Sequence, residues 1–254
     1  TAWSAYSAKL VSLISTILGQ NEKAAHYEEL SKKFRDAWLA EYVSEDGVIE
    51  CYSQTAYALG IAFDLFPEEM RKIASECLQN NITFNQYEFH AGYAGLEFVF
   101  PALSEMGCSE TAYRMLVNTE PKTLLFPVTK GATTTCESLY TYTETEGQLL
   151  LDGSLNHGAY GAPAEWLYTN VLGIQSDVEH PGFKHFFIKP EVSETFTYAR
   201  GYYDSIYGRI EVSWESQQNG YLYKIKIPGN TTATVVLPGL DTMELTSGTY
   251  QFHS

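Results

Sequence analysis

Basic residues are scarce in this chain. Sixteen Lys and Arg stand against 31 Asp and Glu in 254 residues, a formal charge of −15. Such a balance repels phosphate backbones and anionic lipid, which excludes nucleic acid and membrane surfaces as partners and favours neutral or cationic ones. Long apolar runs are also missing. The best, Leu10 to Leu18, is interrupted by Ser12, Ser15 and Thr16, whereas a bilayer span needs roughly 18 to 20 apolar residues. Cysteine is sparse: Cys51, Cys77, Cys108 and Cys136 lie far apart, without the close Cys or His neighbours of a zinc site. They read as free thiols, Cys51 and Cys77 as buried ones, a pattern that leans to a reducing, cytoplasmic compartment. Nothing calls for a metal or a cofactor. The chain starts at Thr1 inside an amphipathic pattern, with no initiator Met and no signal-peptide series. From this we expect a longer natural chain in which a segment precedes Thr1.

What is present is a large apolar fraction, 44%, with 14% aromatic residues. That suffices for a full core in one large or two smaller domains. Helical spacing places Leu10, Leu13, Ile14, Ile17 and Leu18 on one helix and Tyr27, Leu30, Phe34, Ala37, Trp38 and Leu39 on the next, with Gly19 between them. Gln54 to Phe66 and Gly95 to Met106 read as apolar, inner-type helices. Each is followed by a charged, outer-type helix, Glu68 to Leu78 behind Pro67 and Ser109 to Asn118. This alternation is what a toroid of helical hairpins requires. A long, irregular, Thr-rich connection follows to Asn156, and connections of that length are usually functional. A last helix is expected over Ala162 to Leu172. After Ser176 short β-prone runs take over, at His185 to Ile188, Thr195 to Tyr198, Gly208 to Trp214, Tyr221 to Ile227, Thr232 to Leu237 and Thr249 to His253. Turn signals such as Pro228-Gly229-Asn230 separate them. The expected architecture is mainly α with a β domain: residues 1–176 form the second half of a helical toroid, and residues 177–254 an antiparallel β-sandwich.

Candidate chemistry gathers in the connection. Glu137 follows the hydroxyl-rich run Thr133-Thr134-Thr135, and a carboxylate there could deprotonate water for attack on an anomeric carbon. It could equally cap a helix N-terminus behind Thr133 or Thr134, and spacing alone favours that capping role. His157, flanked by Asn156 and Gly158, could line a pocket or pack at the surface, and Gly158 and Gly161 could admit a ligand or simply pack a helix. Glu144, Glu146 and Asp152 read as solvated loop charges, any of which could instead bind substrate. The segment Gln86 to Gly95 could present His90 and Tyr93 to the same mouth, and Trp166 reads as core.

The run Gly131-Ala132-Thr133-Thr134 with Glu137, then Asn156-His157, Tyr160-Gly161 and Glu165-Trp166-Leu167-Tyr168, resembles the pattern GATTxWE … NHYAYGxxxEWLY of glycoside hydrolase family 78, the α-L-rhamnosidases. Gln54 to Leu59, Gly92 to Gly95, Leu103-Ser104-Glu105, Pro181 to Lys184, Gly208-Arg209-Ile210 and Pro228 to Ala233 agree as well, so the resemblance covers nearly the whole chain. It implies the C-terminal half of an (α/α)6 barrel of six-hairpin type with a C-terminal β-sandwich. It also implies inverting hydrolysis of terminal α-L-rhamnosides without a cofactor. By motif, Glu137 matches the general base and His157 a histidine of the sugar pocket, with Asn156, Tyr160, His90 and Tyr93 as further substrate-binding candidates. The family's general acid lies in an earlier, acidic part of the barrel that nothing here matches, so the N-terminal remainder of the enzyme is an expected partner and the chain alone is expected to be inactive. Cys136 stands where the family usually has Trp, Ser138-Leu139-Tyr140 where it often has Arg-Trp-Asp, and Gly158 where Tyr is common, which leaves the sugar open. Two other readings stay in play: a carbohydrate-binding relative that does not cleave, and a different (α/α)6 glycosidase, lyase or phosphorylase.

Overall fold

The computed structural model describes residues 1–145 and 148–254, which form two compact units, Thr1–Tyr160 and Gly161–Ser254. Each unit is built on its own core.

In the first unit, consecutive helices pair: α1 (Ala2–Ile17) with α2 (Asn21–Tyr42), α3 (Gln54–Ala62) with α4 (Glu68–Phe84), and α5 (Leu96–Glu105) with α6 (Ser109–Val117). Gly19, at φ +69°, closes α1 in the left-handed conformation that L side chains avoid. Ser53 caps α3 by accepting from the Ala56 N–H, and Pro67 stands just before α4. Helices α3 and α5 pack on each other, and Tyr57, Leu59 and Ile61 of the one and Val99, Phe100 and Leu103 of the other are buried. A Cβ on Gly95 would fall 2.6 Å from the Thr55 side chain, so this approach requires glycine. The core extends to Trp38 and Phe66, whose rings meet edge to face at 5.2 Å.

Helix α1 departs from its sequence pattern. The face turned inward is made of Ala2, Ala5, Ala8, Ser12 and Ser15, while Leu13, Ile14, Ile17 and Leu18 are 50–78% exposed. Small residues let α1 approach α2 closely, and Ser31 Oγ donates to the Ala5 carbonyl while Ser12 Oγ donates to that of Ala24. Larger side chains on that face would hold the helices apart, so the bulky stripe turns away. The cysteines also differ from expectation: Cys51 is exposed and Cys77 half-buried, and Cys136 is the buried one.

Nor is the connection after α6 structureless. It holds the short α7 (Phe126–Thr129) and an antiparallel ribbon of β1 (Tyr142–Thr145) and β2 (Gln148–Leu151). Of the expected loop acids, Glu146 lies outside the described residues, and Glu144 is paired with Lys130 at 2.6 Å.

The second unit opens on α8 (Ala164–Trp166), which widens into a π-helical turn at Leu167–Val171 rather than the regular helix expected to Leu172. A six-stranded sheet follows among the described residues, in the order β3 (Ile174–Ser176), β4 (His185–Ile188), β7 (Gly220–Val235), β6 (Gly208–Gln217), β5 (Tyr198–Ser205), with β8 (Met243–His253) also on β7. All pairings are antiparallel except β4 with β7, which is parallel. Pro228-Gly229-Asn230, expected to separate two strands, is instead an irregularity inside one long strand: β7 pairs with β8 on both sides of it and shifts register between Ile227 and Thr232. Proline is tolerated there because a bulge excuses its missing N–H. Alternating Ile210, Val212, Trp214, Tyr223, Ile225 and Ile227 form the buried face, and the Trp214 indole N–H donates to the Val171 carbonyl at 2.8 Å.

Candidate active site

The ribbon β1–β2 explains why Glu137 and His157, distant in sequence, lie together. Its register brings Tyr142 opposite Leu151, and the pairing continues past the strands: the Asp152 N–H donates to the Thr141 carbonyl at 3.0 Å, the Glu137 N–H to the Ser154 carbonyl at 2.9 Å, and the His157 N–H to the Thr135 carbonyl at 2.8 Å. The threonine run supplies further links. Thr134 Oγ1 donates to the Leu155 carbonyl, and Thr135 Oγ1 to that of His157 at 2.7 Å. Short hydroxyl side chains thus bond backbone carbonyls that irregular structure would otherwise leave unpaired.

Glu137 sits at the base of this ribbon, half-buried. Its Oε2 accepts from the Ser154 N–H at 2.8 Å, and no hydrogen bond to Oε1 is formed among the described residues. Gly153 makes room for that carboxylate: at φ +81° it takes a left-handed conformation, and a Cβ there would lie 3.2 Å from Glu137 Oε2. The capping role weighed for Glu137 is not what the structure shows, since no helix begins behind the threonine run and the carboxylate meets a loop N–H instead. The preceding Cys136 points the other way, buried with Phe126 and Tyr142, and burial pushes its thiol pKa up. It therefore anchors the backbone and holds no reactive thiolate.

Tyr93 reaches the Glu137 backbone, and two further rings gather on Tyr93. The Tyr93 hydroxyl donates to the Glu137 carbonyl, and the Tyr93 ring stacks on His157 at 5.4 Å between centroids and meets Tyr160 edge to face at 5.7 Å. Burial, with smaller contributions from Tyr93 and Tyr140, pushes the Tyr160 phenol pKa up, so it stays a neutral donor. The Ala159 N–H reaches His157 Nδ1 at 3.3 Å. An accepting Nδ1 puts the neutral ring's proton on Nε2 and leaves that N–H as a donor.

Glu137, Tyr93, His157 and Tyr160 thus form one cluster. Asn156 is exposed beside it, its N–H on Ser154 Oγ at 3.3 Å. His90 is engaged elsewhere: its Nε2 lies 2.9 Å from Glu88 Oε2 and its N–H donates to Gln54 Oε1 at 2.8 Å, and no hydrogen bond or ring contact joins it to the Glu137 cluster among the described residues. Sequence reasoning missed Gly153, Ser154 and the bracing by Thr134 and Thr135. The turn-forming Asp152-Gly153-Ser154 and the β-prone Tyr142 to Thr145 were the available signals. No group of three or more His, Cys, Asp and Glu among the described residues is arranged to hold a metal ion.

Comparison with known proteins gives the family. Residues 1–171 match the bacterial alpha-L-rhamnosidase 6 hairpin glycosidase domain, and residues 173–251 the bacterial alpha-L-rhamnosidase C-terminal domain. Alpha-L-rhamnosidases from Streptomyces avermitilis and Alteromonas sp. (strain LOR) are 32% and 33% identical over 98% and 94% of the chain. The chain spans only about a quarter of these relatives, 24% and 26% of their lengths. The crystal structure of native α-L-rhamnosidase from Aspergillus terreus superposes with a TM-score of 0.93 at 28% identity, over 99% of this chain and 30% of that one. The Streptomyces avermitilis enzyme complexed with L-rhamnose gives 0.90 at 28% identity, over 98% and 26%. The chain therefore belongs to the bacterial α-L-rhamnosidase family, of which it carries a helical part of the six-hairpin glycosidase domain followed by a mostly antiparallel β domain.

Proposed function

We propose that this chain is the base-bearing part of an enzyme that hydrolyses terminal α-L-rhamnosides with inversion. The supporting observation is the posture of Glu137: Oε2 is fixed by the Ser154 N–H, while Oε1 keeps its lone pairs for a water molecule. In this reading Glu137 takes a proton from that water as its oxygen attacks the anomeric carbon, and the bond to the leaving group breaks on the opposite face. His157 donates from Nε2 to a sugar hydroxyl, and Tyr93 and Tyr160 supply aromatic surface for the ring.

Inversion needs a second carboxyl group as acid, with the pair about 6.5 to 9.5 Å apart. On the ribbon Glu144 is already paired with Lys130, and the family resemblance puts the acid in an earlier part of the barrel. The acid is accordingly assigned to a part of the enzyme outside this chain. The same part is proposed to cover the apolar face of α1, because an exposed stripe of that kind marks an interaction surface. The chain alone is then expected to bind sugar without cleaving it.

The test is hydrolysis of an aryl α-L-rhamnoside by the complete gene product, wild type against Glu137→Gln. Loss of a general base should lower kcat by about 100-fold or more, with L-rhamnose binding retained. Undiminished rhamnose release from the variant refutes the base assignment. Cleavage of a different glycoside alone would replace the sugar, and binding without any hydrolysis would favour the non-catalytic reading.

A further inference from the structure

The second unit carries a concavity of about 440 Å³ that the rhamnoside reading does not use, lined by Glu165, Tyr168, Phe183, Tyr202, Tyr203 and Asp204 together with residues of β3. Strands β3 and β5, the two ends of the main strand order, contribute to it, beside the π-helical turn that presents Tyr168. A pocket of this size, aromatic with a few convergent polar groups, is the usual form of a small-molecule site.

Its chemistry narrows the ligand. Tyr168 and Tyr203 are 47% and 41% exposed, so two large rings at its wall stay wet. Phe183 and Tyr203 lie 4.6 Å apart between centroids, bracing one wall. Rings beside a carboxylate suit either a sugar or an organic cation. Here the position for a cation is already filled: the Arg209 guanidinium lies 3.7 Å from the Tyr202 ring centroid and donates to both Asp204 oxygens, at 2.7 and 3.0 Å. That internal cation neutralises Asp204 and repels another. Glu165 is left as a carboxylate acceptor with no ion pair among the described residues. A carboxylate at the wall disfavours anions. We propose that this pocket binds a neutral pyranose ring, stacked on Tyr168 or Tyr203 and hydrogen-bonded through its hydroxyls to Glu165, as a saccharide site separate from the Glu137 cluster. The inference does not require Glu137 to be catalytic.

The experiment is ligand-observed saturation-transfer NMR of the complete gene product with L-rhamnose, D-galactose and D-glucose, each also titrated into Glu165→Gln and Tyr168→Ala. The proposal expects at least one of the three sugars to bind with a measurable affinity. The same affinity should fall about tenfold in Tyr168→Ala and several-fold in Glu165→Gln. Near-isosteric Glu165→Gln serves as the decisive arm should Tyr168→Ala melt early. Failure of all three sugars to bind, or affinities that ignore both pocket variants, would overturn it. So would tetramethylammonium binding in the pocket in place of sugar.

Discussion

Three apolar-rich helices of the first unit meet opposite fates. Helix α3 and its partner α5 bury their apolar residues on almost every side, Ile61 and Val99 completely, whereas α1 leaves Ile17 78% exposed and packs through alanine and serine. A third region, the segment from Thr134 to His157 that carries Glu137, has little core and is held by hydrogen bonds between hydroxyls and backbone. Apolar periodicity therefore says that a face is coverable, and only packing says whether this chain covers it. The site segment draws its order from a different source altogether.

Mutations should separate these regions by size of effect. Leu103→Ala, at a buried position of α5, should remove about 2 to 5 kcal/mol of stability through lost transfer energy and a cavity, read as an earlier urea midpoint with an unchanged slope. A loss below ~1 kcal/mol would show that the core is looser than its burial indicates. Thr135→Val keeps the shape and removes one hydrogen bond, at a cost of about 1 kcal/mol, and the His157 ring should become more mobile by NMR relaxation. If neither changes, the bracing of the ribbon base is not what holds the histidine. Ile17→Ser, on the open face of α1, should shift the stability of this chain by no more than roughly 0.5 kcal/mol. A loss as large as that of Leu103→Ala would mean that the exposed stripe is already covered, for instance by a second copy.

How much of this was legible in the sequence follows the range of the interactions. Helices α1 to α6 could be read because their signals are local: Gly19 in the left-handed conformation, Pro67 before α4, and periods of three and four. The face of α1 could not, since Leu13 and Ile14 outweigh Ala5 and Ala8 in any hydropathy count, while close packing selects the small ones. Pro228-Gly229-Asn230 looked like a turn because its composition is that of a turn, yet the register shift in β7 absorbs it. In the site, spacing alone left Glu137 between cap and base. The ribbon that joins Thr135 to His157 is a non-local pairing with weak β patterning, so the residues alone offered Glu137 and His157 with their alternatives open, and the resemblance to the family gave them roles and added Tyr160. Gly153 was passed over because its importance lies in the absence of a side chain beside a carboxylate.

That glycine offers the most direct test of the claim that backbone geometry at the ribbon base aims Glu137 at substrate. In Gly153→Ala of the complete gene product, the added methyl should press on Oε2 and displace the carboxylate. The expected result is a fall in kcat of up to ~100-fold, the penalty of a displacement of about an ångström. The L-rhamnose dissociation constant should stay within about threefold of wild type. The positive φ should cost only about 1 to 2 kcal/mol of stability. A kcat equal to wild type in a folded variant would contradict the account.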